Sequence, residues 1–153
     1  MKILANDGIS KNAVDILNKK GFDVYLETIE QDNLIDFINI NEIAVILVRS
    51  ATQVRKNIID NCQSLKIIGR GGVGMDNIDV EYAKSKGIFV INTPAASSNS
   101  VAELVFSHLF SGSRFLFDSN RNMPIEGEKK FKTLKKNYSK GIELKNKNLG
   151  IIG

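Results

Sequence analysis

In the first part of the chain, strand-like apolar segments alternate with segments whose apolar residues have helical spacing. Short apolar runs, of the kind typical of strands, lie at residues 2–5, 44–48, 66–69 and 88–91, and residues 22–26 alternate apolar and polar side chains as another strand would. Between them lie segments with apolar residues at helical spacing, which begin near Ser10, Asp32, Val54 and Asp79. Ser10 and Asp79 are residue types that cap helices. The pattern therefore predicts strands and helices in strict alternation.

This alternation is typical of βα units built around a parallel sheet. The apolar run at 44–48 is continuous, as expected of a strand that is covered on both faces. Right-handed crossovers and short loops leave few arrangements, and we predict an α/β fold with a flavodoxin-like, doubly wound parallel sheet. Sheets of this kind bind ligands at the carboxyl ends of their strands, so the residues that directly follow strands are the first functional candidates.

The pattern changes after Pro94. Apolar spacing predicts one long helix over residues 101–120, with the serines at 98–100 as its cap. A loop is predicted at 123–127 and a short basic helix at 129–138. Residues 149–153 begin a new apolar strand, and a strand that ends at a glycine with no helix after it indicates a sequence cut short. We expect two domains, residues 1–97 and residues 98–153.

Composition narrows the class of protein. The chain has 153 residues, of which 42% are hydrophobic and 25% charged, which excludes a disordered, collagen-like or disulfide-rich protein. Residues 129–147 hold eight lysines and one acidic residue, so the net charge of +4 comes from that segment and the remainder is net negative. Without an apolar stretch long enough for a signal peptide or a membrane span, we expect a cytoplasmic protein.

The glycine-rich run at residues 70–76, Arg-Gly-Gly-Val-Gly-Met-Asp, follows the fourth predicted strand. Glycines allow positive φ and let the backbone approach a ligand, so that successive N–H groups point at an anion. The alternative is a tight turn between strand and helix that binds nothing. The position at a strand end and the adjacent Arg70 favour an anion site.

Two other polar segments follow strands. Arg49 and Ser50 come directly after the third strand, where an arginine can bind a carboxylate or phosphate through two hydrogen bonds. A surface arginine paired with an acid is the alternative. Arg49 and Arg70 end neighbouring strands, so we expect their side chains to converge. Asn92-Thr93-Pro94 and the serines at 97–100 either line the same cleft or form only a turn and a helix cap.

The other reactive residues favour structural roles. His108, the only histidine, lies in an apolar helical segment with no acidic residue one turn away. Cys62, the only cysteine, is expected to be a buried apolar residue and excludes an intrachain disulfide. The lysine-rich segment is interpreted as a solvated helix face, because few aromatic residues are interleaved with it. No residues have metal-ligand spacing, so no metal site is predicted.

Four segments together resemble one family. They are residues 48–52 (VRSAT), 67–79 (IIGRGGVGMDNID), 90–94 (VINTP) and 100–104 (SVAEL), and with their spacing they are similar to the D-isomer-specific 2-hydroxyacid dehydrogenases. The similarity covers essentially the whole chain, and residues 48–52 are most similar to the phosphoglycerate branch. The resemblance implies an NAD-dependent oxidation of 3-phospho-D-glycerate to 3-phosphooxypyruvate, the first step of serine synthesis. Another D-2-hydroxy acid is the alternative substrate.

The resemblance also implies roles for single residues. In that family the substrate domain comes first, and the long helix leads into a Rossmann nucleotide-binding domain. Substrate contacts are thereby assigned to Arg49, Ser50, Arg70 and the backbone of Gly72, Val73 and Gly74. Cofactor contacts are assigned to Val73, Val101 and Gly153, the last of which matches the first glycine of the G-x-G-x-x-G loop.

Three classes of function compete: an enzyme fragment, a free-standing anion-binding domain and a basic nucleic-acid-binding protein. The resemblance favours the first, with the catalytic Arg, Glu and His of the family expected beyond residue 153. We therefore expect no dehydrogenase activity from these residues alone. We also expect a small-molecule partner, no nucleic-acid or membrane partner, and a homo-oligomeric full-length enzyme.

Overall fold

Five parallel strands form the central sheet in the computed structural model, which describes residues 1–152. The strands are β1 (Lys2–Ala5), β2 (Asp23–Tyr25), β3 (Val45–Val48), β4 (Ile67–Arg70) and β5 (Phe89–Asn92). Their order is β2-β1-β3-β4-β5, and each neighbouring pair is parallel. The predicted flavodoxin-like, doubly wound sheet is therefore confirmed.

Short helices connect the strands. They are α1 (Lys11–Lys19) after β1, α2 (Leu34–Asn41) after β2, α3 (Lys56–Asn61) after β3 and α4 (Val80–Ser85) after β4. The start of α1 agrees with the prediction, since the Ser10 hydroxyl oxygen accepts a hydrogen bond from the N–H of Ala13 at 3.2 Å. The chain leaves α1 through Gly21, whose φ of +81° favours glycine.

The apolar core lies between one face of the sheet and the helices α2, α3 and α4. Leu4, Ile46 and Ile68 are direct neighbours across β1, β3 and β4, and all three are fully buried. Ile38 of α2 and Ile58 of α3 pack against this face. Each buried side chain of this size contributes about 1.5–3 kcal/mol relative to an exposed one, so this face of the sheet contributes strongly to the stability of the fold.

The opposite face of the sheet is less completely covered at β4 and β5. Leu47, Gly69 and Ile91 are neighbours in register there, and Ile91 is 57% exposed. A Cβ atom on Gly69 would lie 2.7 Å from Cδ2 of Leu47, so a larger residue here would force the side chain of Leu47 to shift. These three residues also reach the cavity described below.

Two helix starts differ from the prediction. Asp32 lies in a 3-10 turn, Gln31–Asn33, that precedes α2, so it does not open the helix. Asp79 directly precedes α4 but makes no capping bond to it. Its carboxylate accepts instead from the N–H of Lys56 at 2.9 Å and from the guanidinium of Arg55 at 3.1 Å. Asp79 therefore caps α3, where a free N–H at a positive helix end is within its reach.

The chain divides into two compact units, Met1–Ala96 and a unit that begins at Ser97. The second unit contains α5 (Ser98–Ser113) and α6 (Leu116–Tyr138). The single helix predicted over 101–120 is wrong at its end, because Phe115 adopts a left-handed conformation with φ of 54° and separates the two helices. Ser97 precedes α5 without a side-chain cap.

The loop predicted at residues 123–127 is also wrong, because these residues are helical within α6. Pro124 lies inside the helix although it lacks the N–H donor that a helix interior uses. Pro124 and Gly127 favour a loop, whereas the neighbouring Met and Glu residues favour a helix. These local propensities are weak and conflict with one another, so the sequence alone does not settle the structure of this segment. The basic helix predicted at 129–138 forms the end of α6, which departs from helical geometry at Lys130.

The strand predicted at residues 149–153 does not occur in the part of it that the structure describes. Residues 149–152 have no regular secondary structure and are exposed. A strand needs a neighbour for its backbone hydrogen bonds, and none of the strands within residues 1–152 pairs with this segment. Gly153 lies outside the described residues. Over residues 1–152, no helix has both the length and the apolar character needed to cross a bilayer.

Candidate functional site

The carboxyl end of the sheet opens into a cavity of about 650 Å³. Its lining comes from the last residues of β3, β4 and β5, from the segments that follow β1, β3, β4 and β5, and from the start of α1, as the doubly wound topology predicts. Leu47 and Ile91 supply an apolar wall, and Arg49 and Arg70 supply two guanidinium groups. The other polar side chains of the lining are Asp7, Ser10, Asn92 and Thr93.

The two arginines line the same cavity. Arg49 directly follows β3 and Arg70 is the last residue of β4, and Nε of Arg70 donates to the backbone carbonyl of Arg49 at 3.3 Å. Within residues 1–152, neither guanidinium forms an ion pair with a carboxylate. Ser50 is exposed beside Arg49. The cavity therefore holds two positive charges with hydrogen-bonding capacity for an anion.

The glycine loop after β4 is shaped around the side chain of Arg70. Gly72 has a φ of +154°, and a Cβ atom at this position would overlap Nη1 of Arg70. A Cβ atom at Gly74 would lie 2.9 Å from Oδ1 of Asp76 and 3.9 Å from Nη1 of Arg70. Glycine at residue 72 is thus needed for the guanidinium of Arg70 to fold back over the loop.

Only part of the loop backbone is free to bind a ligand. The N–H of Gly71 donates to the carbonyl of Val48 at 2.9 Å, and the N–H of Gly72 donates to the carbonyl of Arg70 at 3.0 Å. The N–H groups of Val73 and Gly74 have no acceptor among the residues that the structure describes. Val73 and Gly74 therefore carry free N–H donors in the middle of the loop.

The last residue of β5 and the residue after it tie the glycine loop to the sheet. Nδ2 of Asn92 donates to the carbonyl of Val73 at 2.8 Å, and the N–H of Thr93 donates to the carbonyl of Gly72 at 3.2 Å. Asn92 and Thr93 also line the cavity. These bonds occupy the carbonyls of Gly72 and Val73, whereas the N–H groups of Val73 and Gly74 stay free.

Asp7, which the sequence does not mark as a candidate, also belongs to the site. Its carboxylate accepts from the N–H of Arg49 at 2.6 Å, from the N–H of Thr52 at 3.2 Å and from the Thr52 hydroxyl. Burial would raise the pKa of Asp7, but the bonds from Thr52, Arg49 and Ala51 outweigh burial and hold that pKa below its ordinary value. Asp7 is therefore a carboxylate whose charge is already satisfied by donors of the protein.

Thr52 and Asn77 were also missed. Both are buried, and Nδ2 of Asn77 donates to the carbonyls of Arg49 at 2.9 Å and Thr52 at 2.7 Å. Asn6 adds a bond from its Nδ2 to the Thr52 hydroxyl oxygen at 2.8 Å. The only sequence signal was a polar residue after a strand, which does not reveal its partner 25 to 46 residues away.

The remaining candidates are in the second unit. Val101 lies exposed in the first turns of α5, and Gly153 is outside the described residues. His108 is exposed on α5 and makes no side-chain hydrogen bond within residues 1–152, so it has no carboxylate to orient it. Val105, Leu109 and Ile142 are among its apolar neighbours.

Cysteine and metal chemistry find no support in the structure. Cys62 is 1% exposed, and burial raises the pKa of its thiol to about 11, which keeps it protonated and unreactive. The described residues contain no group of three or more His, Cys, Asp or Glu side chains placed to hold a metal ion. The lysines of α6 are exposed, in agreement with a solvated helix face.

The chain is similar to dehydrogenases of one family. The family model described as D-isomer specific 2-hydroxyacid dehydrogenase, catalytic domain, matches residues 3–141. The hydroxypyruvate reductase of Thermotoga maritima is 42% identical over 153 residues, which cover 99% of this chain and 47% of that protein. The D-3-phosphoglycerate dehydrogenase of Methanocaldococcus jannaschii is 39% identical over 153 residues, which cover 100% of this chain and 28% of that protein.

A solved structure extends the similarity to three dimensions. The NAD+-bound 3-phosphoglycerate dehydrogenase of Entamoeba histolytica matches with a TM-score of 0.62 and 34% identity, over 74% of this chain and 39% of that one. The chain thus spans less than half the length of each of these three proteins.

Proposed function

Because the chain belongs to the D-isomer specific 2-hydroxyacid dehydrogenase family, we propose that its first unit is the substrate-binding part of an NAD-dependent oxidoreductase. The proposed substrate is 3-phospho-D-glycerate, whose 2-hydroxyl is oxidised to give 3-phosphooxypyruvate in the first step of serine synthesis. The observation that carries the proposal is the pair of guanidiniums at Arg49 and Arg70, which line one cavity without a carboxylate partner within residues 1–152.

The proposed substrate has two anionic groups on either side of the reacting carbon, and the site has two kinds of anion donor. Arg49, with Ser50 beside it, binds the phosphate or the carboxylate through two N–H donors at the edge of its planar guanidinium. The free N–H groups of Val73 and Gly74 hold the carboxylate. Arg70 adds positive charge and fixes the loop at Gly72. Substrate orientation is thus divided between a side chain and a backbone loop.

NAD is the proposed cofactor and accepts the hydride from carbon 2 of the substrate. Val73 carries a 55% exposed apolar side chain on the glycine loop, which fits contact with a flat nicotinamide ring. Val101, equally exposed at the start of α5, is the second residue proposed for that contact, and Gly153 is proposed for the cofactor's phosphates.

The proton of the substrate hydroxyl needs a base, and His108 is not suited to that role. It is exposed in the second unit and has no hydrogen-bonding partner among the described residues that would set its tautomer or orientation. We therefore propose that the 153-residue chain alone has no turnover with NAD and 3-phosphoglycerate. NADH absorbance, with a full-length relative as the control, measures this, and turnover above background would require a base on this chain.

The 42% identity with a hydroxypyruvate reductase favours a second candidate substrate, hydroxypyruvate. This substrate would be reduced at its keto group. Hydroxypyruvate has a carboxylate but no phosphate, so it would use only one of the two kinds of donor. A chain adapted to it would gain little affinity from a phosphate on the ligand. The two substrates are therefore separated by comparing 3-phosphoglycerate with D-glycerate, which differ only in that phosphate.

The test is calorimetric titration of the chain with 3-phosphoglycerate, D-glycerate and hydroxypyruvate. We expect Arg49→Ala to weaken binding of 3-phosphoglycerate by about 10- to 100-fold, since a charged hydrogen bond is worth roughly 1.5–3 kcal/mol. In the enzyme that carries this chain, the same change should raise the KM for the substrate far more than the KM for NAD.

Arg114→Ala is the matched control, because it removes the same charge from a residue outside the cavity lining. It should leave affinity for 3-phosphoglycerate unchanged. An equal loss of affinity in both variants would mean that Arg49 acts only through the net charge of the chain and not through direct contact with the ligand. Equal affinity of the unsubstituted chain for D-glycerate and 3-phosphoglycerate would reject a phosphate-binding site and favour the second substrate.

A further inference from the structure

The turn that carries Arg49 is hydrogen-bonded to Asp7, which lies just after β1. The N–H of Arg49 donates to Oδ2 of Asp7 at 2.6 Å, and the N–H of Thr52 donates to the same oxygen at 3.2 Å. The Thr52 hydroxyl donates to the other carboxylate oxygen. One carboxylate thus receives donors from both ends of the segment 49–52.

The carbonyl groups of the same turn are bound by a different residue. Nδ2 of Asn77 donates to the carbonyls of Arg49 and Thr52 at 2.9 Å and 2.7 Å. The backbone at both ends of the segment is therefore fixed by side chains. The guanidinium of Arg49, in contrast, has no carboxylate partner within residues 1–152, so its placement depends on the backbone that carries it.

We propose that Asp7 is a positioning residue for anion binding: its carboxylate holds the segment 49–52 so that the guanidinium of Arg49 is presented to the cavity. The inference rests on the proposed function, because it takes Arg49 as the anion-binding group. Asp7 follows β1, which pairs directly with β3, so the sheet keeps the carboxylate and the turn in register. Such preorganisation lowers the cost of ordering the site when a ligand binds.

The charge of Asp7 lets an experiment separate two roles by the sign of the effect. Asp7 lines the same cavity as Arg49, so its negative charge by itself repels an anionic ligand. If only charge mattered, neutralising Asp7 would strengthen anion binding. If positioning dominates, the same substitution weakens it.

The main experiment titrates the Asp7→Asn chain and the unsubstituted chain with 3-phosphoglycerate by calorimetry. Asparagine keeps the shape of the side chain but replaces one acceptor oxygen by an NH2 donor, which cannot accept from Arg49 or Thr52. We expect the Kd to rise about tenfold. Asp15→Asn, which removes the same charge from the exposed side of α1, should change the Kd by less than about twofold. Unchanged or tighter binding by Asp7→Asn would overturn the proposal.

Thr52 gives a second test that keeps the charge of Asp7. Thr52→Ser retains the hydroxyl that donates to the carboxylate, whereas Thr52→Val retains the shape and loses the hydroxyl. We expect the serine variant to bind within about twofold of the unsubstituted chain and the valine variant about fivefold more weakly. Far-UV circular dichroism confirms that both are folded. Equal affinity of the two folded variants would contradict a positioning role for the Asp7–Thr52 pair.

A double-substitution cycle tests whether Asp7 acts through Arg49. In the Arg49→Ala background, Asp7→Asn should cause no further loss of affinity for 3-phosphoglycerate, because the group that Asp7 positions is already gone. A loss as large as in the unsubstituted background would mean that Asp7 supports binding by another route, and would overturn the proposal.

A measurement without ligand separates failure of this proposal from failure of the proposed function. The Arg49 amide donates to the carboxylate of Asp7, so its hydrogen exchange should become at least about tenfold faster in Asp7→Asn. If the unsubstituted chain binds none of the anions, the proposed function fails, and positioning is judged by this exchange alone. Equal exchange in the two chains would overturn positioning even where anions bind.

Discussion

The two units of the chain differ in how they bury apolar residues. In the first unit, Ile46 and Ile68 are fully buried between the sheet and its helices. In the second unit, as far as residue 152, Leu134 is the only buried residue, and Phe117 and Ile125 are 65% and 82% exposed. The first unit therefore has a core of its own, whereas most apolar side chains of α5 and α6 remain exposed.

Polar contacts differ between the units in the same way. In the first unit, side chains such as Asp7 and Asn77 bind backbone groups more than 20 residues away. In the second unit, Ser107, Ser113 and Ser119 bind carbonyls within four residues along the same helix. Long-range polar contacts fix loops relative to one another, so the candidate site lies in the unit that is able to hold it rigid.

The largest effect that tests this comparison is on stability. We expect Ile46→Ala to lower the free energy of unfolding by about 2–5 kcal/mol, because it leaves a cavity in a closed core. Ile125→Ala, at an exposed position of α6, should change it by less than about 0.5 kcal/mol. Urea unfolding followed by far-UV circular dichroism measures both. Equal losses would mean that the second unit buries Ile125 in solution, and would remove the contrast between the units.

The same contrast explains which elements the sequence could predict. The strands were predicted to within one or two residues, because a buried strand such as β3 is a continuous apolar run and a half-covered strand such as β2 alternates apolar and polar residues. The helices of the second unit were misjudged at Phe115 and Pro124, where no core constrains the chain and local signals conflict. Asp79 was assigned to the wrong helix, because a carboxylate caps whichever helix end the fold brings within reach.

A smaller effect is expected at two glycines, one in each unit. Gly72→Ala should weaken 3-phosphoglycerate binding by about tenfold or more, because the new Cβ atom displaces the guanidinium of Arg70 and strains the backbone at positive φ. Gly112→Ala, in α5 with open space around it, should leave binding unchanged and raise stability by up to about 1 kcal/mol.

Calorimetric titration and urea unfolding of both variants test this pair. Full affinity in a folded Gly72→Ala chain would show that the loop is only a turn, the alternative considered from the sequence. Weaker binding in Gly112→Ala would place part of the anion site in the second unit. The first result would remove the glycine loop from the site, and the second would end the assignment of binding to the first unit alone.

The candidate site was predictable where chemistry and position coincide along the chain. Arg49, Arg70 and the glycine loop directly follow buried strands, and that position alone marked them. Asp7 and Asn77 were not recognised, because their importance depends on partners that only the folded sheet brings together. The sequence also does not show that the N–H of Gly72 is already bonded to the carbonyl of Arg70, which leaves the donors of Val73 and Gly74.

The smallest expected effect is on how the free energy of unfolding changes at acid pH. The pKa of Asp7 is below its ordinary value of 3.8 because hydrogen bonds outweigh burial, so the folded chain holds fewer protons than the unfolded chain in this range. The resulting stability is fully present above the ordinary value and is lost as the pH falls through the lowered pKa. Asp7→Asn lacks this contribution, so the difference in free energy of unfolding between the two chains should be constant from pH 7 to about pH 5 and shrink below pH 4.

Urea unfolding of both chains at several pH values measures this difference. A difference that stays constant down to the acid transition would show that the carboxylate charge of Asp7 does not stabilise the turn.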